Sequence, residues 1–354
     1  MNLFKFYLLG LSLLSVMFVS CGDDEMITTT DPGPMIDEQT YDNGVLIINE
    51  GAFTGGTGTL DFYDRVKDTL LRNVYSTVND GKVIGNVLQS AIVIGDNAFL
   101  IVNNASKIEV VDALTMEYKN TISGVFGPRY MSDLGNGNAV VSEWGLNGVS
   151  GQLKLIDLST LTITDSVSVS GPEQMIIAND KIYVANSGGF GESNVVSVHR
   201  FDLEQQLEIT VGKRTIDMVQ DANNDIWVLS GGSYVDGDGA SLCQIKNDIS
   251  QNCITLGGFP SDLNIDANGV NLYYVENGEI RNINVNNPTI SEVVELPNVT
   301  GAIYGLGYDG NQGALYIGTT PDFSSESTTH VVYENGDATI SFTTGVLTNG
   351  FVAR

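Results

Sequence analysis

The chain has 354 residues, with 43 acidic and 16 basic side chains and a formal net charge of −27. It lacks the Lys/Arg surface that nucleic acids require, and its charge disfavours docking of the folded part onto anionic lipid. The 40 glycines and 8 prolines suit many tight turns, and two histidines leave little for a metal cluster or a catalytic triad.

The first 21 residues predict a lipoprotein signal. A weakly basic start precedes an apolar run from Phe6 to Val19, which has signal-peptide length and is short for a membrane span. The run ends at Phe18-Val19-Ser20-Cys21, which resembles the end of a bacterial lipoprotein signal. The resemblance implies that residues 1–21 form the signal peptide and that Cys21 carries the lipid.

Residues 22–43 predict an export tag and a flexible tether. The acidic run Gly22-Asp23-Asp24-Glu25 resembles the tag that sends lipoproteins of the Bacteroidetes to the outer face of the outer membrane. The residues behind it have linker composition and no apolar period. A merely solvated linker is the alternative. The resemblance implies a lipid-anchored protein of the outer membrane that faces the cell exterior.

From residue 44 to the C-terminus, one pattern repeats about every 43 residues. Each copy has an opening strand, a turn rich in Gly, Asn and Asp, and an apolar strand that ends on a small polar residue. The apolar strands end at Asn49, Asn103, Ser142, Asn186, Ser230, Glu276 and Thr319. Continuous apolar runs belong to strands covered on both faces. The pattern therefore predicts an all-β domain over residues 44–354, a β-propeller of seven blades.

The copy Tyr183-Val184-Ala185-Asn186 resembles the YVTN signature of the bacterial YVTN/YncE-like seven-bladed propellers. The other six copies are looser versions, and the resemblance covers residues 44–354. Only the tether precedes Val45, whereas an orphan strand, Asn349–Arg354, follows the seventh blade. We expect this strand to pair with residues 44–49, because that pairing closes the ring and covers its free edges.

The two remaining cysteines predict a structural disulfide. Cys243 and Cys253 lie on strand-like runs joined by the turn Lys246-Asn247-Asp248, which places them opposite each other across a hairpin. In an oxidising envelope compartment such a pair forms a cross-strand bridge. No histidine lies near it, so a metal-binding or catalytic role is not expected.

The loops after the apolar strands predict a ligand site at one mouth of the ring. Five of them carry an aromatic residue in a small, polar, Gly-rich setting, and the opening strands add two tyrosines. Aromatic walls over polar groups suit a sizeable, partly apolar ligand, although each ring could instead pack its own loop. The expected ligand-binding residues are Glu50, Phe53, Asn103, Arg129, Tyr130, Glu143, Trp144, Asn186, Phe190, Tyr234, Glu276, Tyr304 and Phe323.

We expect no enzyme, no cofactor and no metal. His199 and His330 lie in outer-strand contexts, and Asp236-Gly237-Asp238-Gly239 lacks the full spacing of a calcium loop, which favours a polar turn over a weak cation site. A hydrolase that uses a carboxylate pair from Glu50, Glu143 or Glu173 stays open.

Signal, tag, propeller and mouth together are similar to the surface-exposed YncE-like propeller lipoproteins of the Bacteroidetes. The resemblance implies capture of a sizeable small molecule, with cobalamin (vitamin B12) favoured, and its delivery to a TonB-dependent outer-membrane transporter. It also implies membrane contact through the lipid alone. Strong negative charge disfavours anionic ferric siderophores and haem, unless Arg129 creates a local exception. The alternative is a glycan-binding or protein-interaction propeller of a surface polysaccharide or adhesion system.

Overall fold

The structure is a computed structural model, and it describes residues 39–354 except for residues 290, 296–298 and 337–338. Residues 39–354 form one compact unit. The predicted signal peptide, the predicted lipidation site Cys21, the predicted export tag and most of the predicted tether lie outside the described residues. In the part of the chain that is described, no helix combines the length and the hydropathy of a membrane-spanning segment.

The described residues form 28 strands, arranged as seven antiparallel sheets of four strands each. The sheets are the blades of a propeller, which confirms the predicted fold class. Blade 1 contains β1 (Gly44–Asn49), β2 (Thr59–Asp64) and β3 (Thr69–Leu71), followed by α1 (Val74–Val78). Blade 2 contains β4 (Leu88–Ile94), β5 (Asn97–Val102), β6 (Lys107–Asp112) and β7 (Tyr118–Ile122). Blade 3 contains β8 (Pro128–Asp133), β9 (Asn138–Glu143), β10 (Gln152–Asp157) and β11 (Thr162–Ser168).

The remaining blades follow the same order. Blade 4 contains β12 (Pro172–Ala178), β13 (Lys181–Asn186), β14 (Val195–His199) and β15 (Gln205–Thr210). Blade 5 contains β16 (Thr215–Gln220), β17 (Ile226–Gly231), β18 (Ala240–Lys246) and β19 (Ile249–Thr255). Blade 6 contains β20 (Ser261–Ile265), β21 (Asn271–Glu276), β22 (Glu279–Asn284) and β23 (Ser291–Val293). Blade 7 contains β24 (Ala302–Asp309), β25 (Ala314–Thr320), β26 (Glu326–Tyr333) and β27 (Ile340–Val346).

The last strand, β28 (Thr348–Ala353), closes the ring as expected, because it pairs antiparallel with β1 and becomes the inner strand of blade 1. A buried polar cluster fixes the junction. Thr348 Oγ1 donates to Asn49 Oδ1 at 2.6 Å, and Asn49 Nδ2 donates to Asp61 Oδ2 at 3.0 Å. The two ends of the domain are therefore joined by backbone pairing and by side chains that are withdrawn from water.

The second strand of each blade forms the core between neighbouring sheets. All six residues of β1 and of β17 are buried, as expected of apolar runs covered on both faces. Five of the seven polar residues at these strand ends are buried too: Asn49, Ser142, Asn186, Ser230 and Thr319. Asn186 Nδ2 donates to Ser197 Oγ at 2.9 Å, for example. These groups satisfy polar partners inside the blades.

The inner strand of every blade carries a β-bulge near the same end. Its pairing with the second strand shifts by one residue in all seven blades. The residues within the bulges are Gln89, Arg129, Tyr130, Glu173, Gln174, Ile216, Asp262, Leu263, Tyr304 and Asn349. A bulge leaves a residue out of the ladder and re-aims its side chain. Six of the seven bulges supply residues to the two cavities described below.

The predicted disulfide is present between Cys243 on β18 and Cys253 on β19. The register shifts between Leu242 and Gln244, which accommodates Asn252 as an extra residue of positive φ. The bridge thus joins the two outer strands of blade 5, and neither cysteine is among the residues that line a cavity of the ring centre.

Candidate ligand-binding site

Two adjoining cavities occupy the centre of the ring and one of its mouths. A channel of about 360 Å³ follows the inner strands, and a basin of about 460 Å³ opens beside it among blades 3 to 6. Tyr130, Asp217 and Asp262 border both cavities. The basin has the size of a small-molecule site.

One wall of the basin is an aromatic pair. The rings of Trp144 and Phe190 pack edge to face with centroids 5.5 Å apart. The loops that carry them are held together, because the Phe190 N–H donates to the Gly148 carbonyl at 2.9 Å. Gly148 has a φ of +69°, and a Cβ there would lie 2.2 Å from Phe190 Cδ2. Only glycine lets the ring take this position.

The facing wall combines an aromatic ring with a cation. The guanidinium carbon of Arg214 lies 4.1 Å from the centroid of Tyr234, within the range of cation–π contact. Arg214 Nε donates to the Gly232 carbonyl at 2.9 Å, and Nη2 donates to the Gly231 carbonyl at 2.8 Å. Arg214 makes no ion pair with any residue that the structure describes. Its charge is thus oriented by the backbone, and the carboxylates of Glu173 and Glu192 stabilise it at a distance without a direct ion pair.

The second cation of the basin is neutralised. Arg129 lies with its guanidinium carbon 4.4 Å from the centroid of Trp144, and its Nε donates to Glu173 Oε2 at 2.8 Å. Glu173 also accepts a hydrogen bond from Ser187 Oγ at 3.1 Å. Arg129 therefore packs against the Trp144 ring of the wall, and its charge is balanced by the ion pair with Glu173.

A chain of hydrogen bonds crosses the mouth beside the basin. Glu50 accepts from Tyr304 Oη at 2.7 Å and from Asn349 Nδ2 at 2.9 Å, and burial raises the pKa of the Glu50 carboxyl. Asn349 Nδ2 also donates to the Gln89 carbonyl at 3.0 Å, and the Gln89 side chain accepts from Arg129. These bonds link blades 7, 1, 2 and 3. The hydrogen-bonded chain thus occupies one side of the mouth, and the basin, which is lined by blades 3 to 6, occupies the other.

Two carboxyl groups form the floor where basin and channel meet. Asp217 accepts from the Met218 N–H at 2.8 Å and from the Leu263 N–H at 2.9 Å. Burial, assisted by the charge of Asp262, raises the pKa of Asp217 to about 7. Burial raises the pKa of Asp262 to about 6. Near neutral pH the floor therefore holds both protonated and ionised carboxyl groups, so it can donate as well as accept hydrogen bonds.

Several expected site residues lie outside both cavities. Asn103 Nδ2 donates to the Pro128 carbonyl, and Glu143 is buried in an ion pair of 2.9 Å with Lys154. Glu276 accepts from the Gly257 N–H at 2.6 Å, and Asn186 bonds inside its blade as described above. Each of these side chains has a protein partner, although the buried Oδ1 of Asn186 has none among the described residues.

The aromatic residues divide into two groups. Tyr130, Trp144, Phe190 and Tyr234 line the basin. Phe53 and Phe323 are 70% and 74% exposed and do not line either cavity. Tyr304 packs edge to face on Phe323 with centroids 6.4 Å apart and bonds to Glu50. The structure thus brings four of the seven expected aromatic residues to one basin.

The sequence prediction missed Arg214, Asp217 and Asp262, although the opening segments Arg214-Thr215-Ile216-Asp217 and Pro260-Ser261-Asp262-Leu263 were visible. Asp262 lies within a bulge, as Arg129 and Glu173 do in blades 3 and 4, whereas Arg214 precedes β16 and Asp217 follows the bulge at Ile216. Alternation alone does not reveal which residue a bulge turns toward the ring centre.

Asp236 and Asp238 of the loop that resembles a calcium site form ion pairs with Lys213. Lys213 Nζ lies 2.8 Å from Asp236 and 2.7 Å from Asp238. No group of three or more potential metal ligands occurs among the described residues. His199 and His330 are buried in β14 and β26, and neither lines the basin.

Residues 43–341 match a domain family described as a domain of unknown function, DUF5074. The chain belongs to the DUF5074 family. No curated protein matches this DUF5074 chain.

Solved structures show the same fold at low identity. A quinoprotein alcohol dehydrogenase-like protein from Bacteroides thetaiotaomicron has a TM-score of 0.66 and 19% identity, over 89% of the DUF5074 chain and 79% of its own. A functionally unknown protein from Desulfotomaculum acetoxidans has a TM-score of 0.65 and 12% identity, over 87% and 98%. A hypothetical selenium-binding protein from Sulfolobus tokodaii has a TM-score of 0.65 and 10% identity, over 88% and 93%. These likenesses concern the fold alone.

Proposed function

We propose that this DUF5074 protein captures a sizeable small molecule in the basin and passes it to a TonB-dependent transporter. Cobalamin is the favoured ligand, and the protein is an outer-membrane lipoprotein that faces the cell exterior. The observation that carries the proposal is the basin of about 460 Å³ with aromatic walls on two sides and a polar floor. A ligand with large apolar faces and a hydrogen-bonding edge fits this composition.

The walls and the floor suit different parts of a corrinoid. Its ring faces are apolar and pack against rings such as Trp144, Phe190 and Tyr234. Its edge carries amide groups that both donate and accept hydrogen bonds, and the floor carboxyls Asp217 and Asp262 match both needs in their mixed protonation. The proposed role is binding without catalysis. The basin has no lining histidine, and backbone N–H groups hold the carboxylate of Asp217.

The test is a binding screen of the full-length protein in detergent. Thermal unfolding is measured with cobalamin, a ferric catecholate siderophore, haem and a set of oligosaccharides, and each hit is followed by isothermal titration. Because a ligand of the folded state stabilises it by mass action, cobalamin should raise the melting temperature in a concentration-dependent way. An unchanged melting temperature with saturating cobalamin, or a shift with another ligand class alone, contradicts cobalamin capture.

Glycan binding is the second candidate, and a separate observation supports it. Phe53 and Phe323 present exposed rings outside the basin, where flat aromatic surfaces suit the stacking of sugar rings. A thermal shift with oligosaccharides that disappears in a Phe53→Ala/Phe323→Ala variant favours this candidate. Loss of a cobalamin shift in a Trp144→Ala variant favours the first.

A further inference from the structure

We infer that Arg214 binds an anionic oxygen group of the captured ligand, a phosphate or a carboxylate, while the aromatic walls hold the apolar part. This inference rests on the proposed capture function of the same basin. It assigns the charge of the ligand and the residue that recognises it.

The side chain of Arg214 is fixed and still has donors to offer. Its Nε and Nη2 are bound to the carbonyl groups of Gly232 and Gly231, and its plane lies on the ring of Tyr234. A guanidinium has five N–H donors in a rigid fork, and Nη1 of Arg214 has no hydrogen-bond partner among the residues that the structure describes. Because Arg214 lines the basin, a preorganised cationic group borders the space that a ligand would fill.

The nearby acidic side chains Glu173 and Glu192 act on the charge of Arg214 from a distance, but neither forms a direct ion pair with it, because each is held by another partner. Glu173 is paired with Arg129 and bonded to Ser187, and Glu192 accepts from Ser233 Oγ. Burial lowers the pKa of Arg214, which reports the loss of water around its charge. A partly desolvated cation without a paired anion is unfavourable. An anionic group of a ligand placed against Arg214 would offset this penalty, whereas a neutral group would not.

The surroundings limit the charge of that ligand. The chain has a formal net charge of −27, and the floor carboxyls Asp217 and Asp262 face the same basin. Both repel a polyanion. The site therefore suits a molecule with one anionic group, such as a phosphodiester or a single carboxylate. Cobalamin has one phosphodiester in its nucleotide loop, which agrees with this limit.

The first experiment needs no assumption about the natural ligand. Of the two tryptophans, Trp144 borders the basin and Trp227 is buried in the core, so a change in tryptophan fluorescence on ligand addition reports Trp144. The full-length protein is titrated with phenyl phosphate, benzoate and phenol. We expect one or both anions to bind about 10-fold or more tightly than phenol, and Arg214→Gln to abolish the difference.

Control variants separate the site from net charge and from folding. Arg200→Gln makes the same charge change at a side chain that is 58% exposed beside Asp202, and it should leave all three affinities unchanged. Arg214→Lys keeps the charge and loses the fork, so it should keep part of the preference even if Arg214→Gln unfolds. An equal response of the wild type to the three probes, including no response to any, overturns the inference, as does a full preference in both Arg214 variants.

The second experiment links the inference to cobalamin. Isothermal titration compares cobalamin with cobinamide, which lacks the nucleotide loop and its phosphodiester. Arg214→Gln should weaken cobalamin binding by about 10- to 100-fold and leave cobinamide binding unchanged. Equal weakening of both overturns the inference and leaves cobalamin capture standing. If neither corrinoid binds the wild type, cobalamin capture fails, and the fluorescence experiment alone decides the role of Arg214.

Discussion

Arg129 packs its guanidinium 4.4 Å from the ring centroid of Trp144 while its Nε donates to Glu173 at 2.8 Å. One side chain thus connects the aromatic wall of blade 3 to a buried carboxylate on blade 4. Across the basin, Arg214 makes the same kind of contact with Tyr234 but forms no direct ion pair with an acidic residue among those that the structure describes. Both arginines occur near the start of an inner strand in the sequence. They differ in that Arg129 is already ion-paired, whereas Arg214 has a donor group that a ligand can use.

Trp144→Ala should weaken cobalamin binding by about 10- to 100-fold and barely change the melting temperature. The ring lines the basin, and burying an aromatic surface against a ligand contributes roughly 1–3 kcal/mol. Isothermal titration and thermal unfolding give the two values. Leu146→Ala is the control, because Leu146 is 85% exposed on the same loop. Retained affinity together with a collapse of stability would show that Trp144 is a packing residue.

Gly148→Ala should displace Phe190 and weaken cobalamin binding by about 10-fold. The new Cβ would lie 2.2 Å from the Phe190 ring at a backbone φ of +69°, so the ring has to move. Gly135→Ala is a matched control, since Gly135 has a φ of +71° and open space around the site of its Cβ. Both variants should lose about 1 kcal/mol of stability through backbone strain. If Gly148→Ala keeps full affinity, the pairing of Phe190 with Gly148 does not shape the basin.

Thr348→Val should lower the free energy of unfolding by about 1–3 kcal/mol, measured in urea. The substitution keeps the shape and leaves Asn49 Oδ1 without the donor that lies 2.6 Å away in a buried site. Thr343→Val, at an exposed position of β27, should change stability by much less. Similar losses in the two variants would mean that the polar cluster adds nothing to the closure of the ring.

Replacement of both Cys243 and Cys253 by Ser should lower the free energy of unfolding by about 2–3 kcal/mol and leave cobalamin affinity unchanged. The bridge closes a loop with a sequence separation of 10, and loop closure of this length restricts the unfolded chain by about that free energy. Wild-type protein under reducing conditions should behave like the double variant. A change in affinity in the folded double variant argues against a solely structural bridge.

A rise in pH from about 4 to about 8 should stabilise Asp217→Asn relative to the wild type. The folded-state pKa of Asp217 is about 7, above the value of about 4 in an unfolded chain. Between these values the folded state binds more protons, so the wild-type stability falls as the pH rises through this window. The variant lacks that fall, which thermal unfolding at the two pH values measures.

Asp157→Asn serves as a control of opposite sign. Hydrogen bonds from Ser159 and Thr160 lower the pKa of Asp157, so its contribution is present above the unfolded pKa and disappears as the pH falls. The variant should therefore be less stable than the wild type at about pH 8. A uniform effect of Asp217→Asn across the pH range would contradict the assigned protonation.

The fold was predictable because a blade is a local unit whose apolar strands and turns recur at a fixed spacing. Even the closure by β28 followed from a missing opening strand before Val45. The site was predictable only in part. Loop aromatic residues such as Trp144 and Phe190 are visible in the sequence. The ion pair between Glu143 and Lys154, however, depends on contacts between strands that sequence spacing does not show. The direction of Asp262 depends in the same way on a bulge.

The bulges at the mouth place residues around the opening that take no part in strand pairing. A residue such as Gln89 or Ile216 is an extra residue without a partner in the pairing of its strand with the next, so its exchange leaves the neighbouring pairs in place. The seven blades therefore offer a set of positions around one opening whose substitution does not require a change in strand pairing. A propeller built in this way can change the chemistry of its opening over evolutionary time by substitutions at these few positions, while every sheet keeps its register.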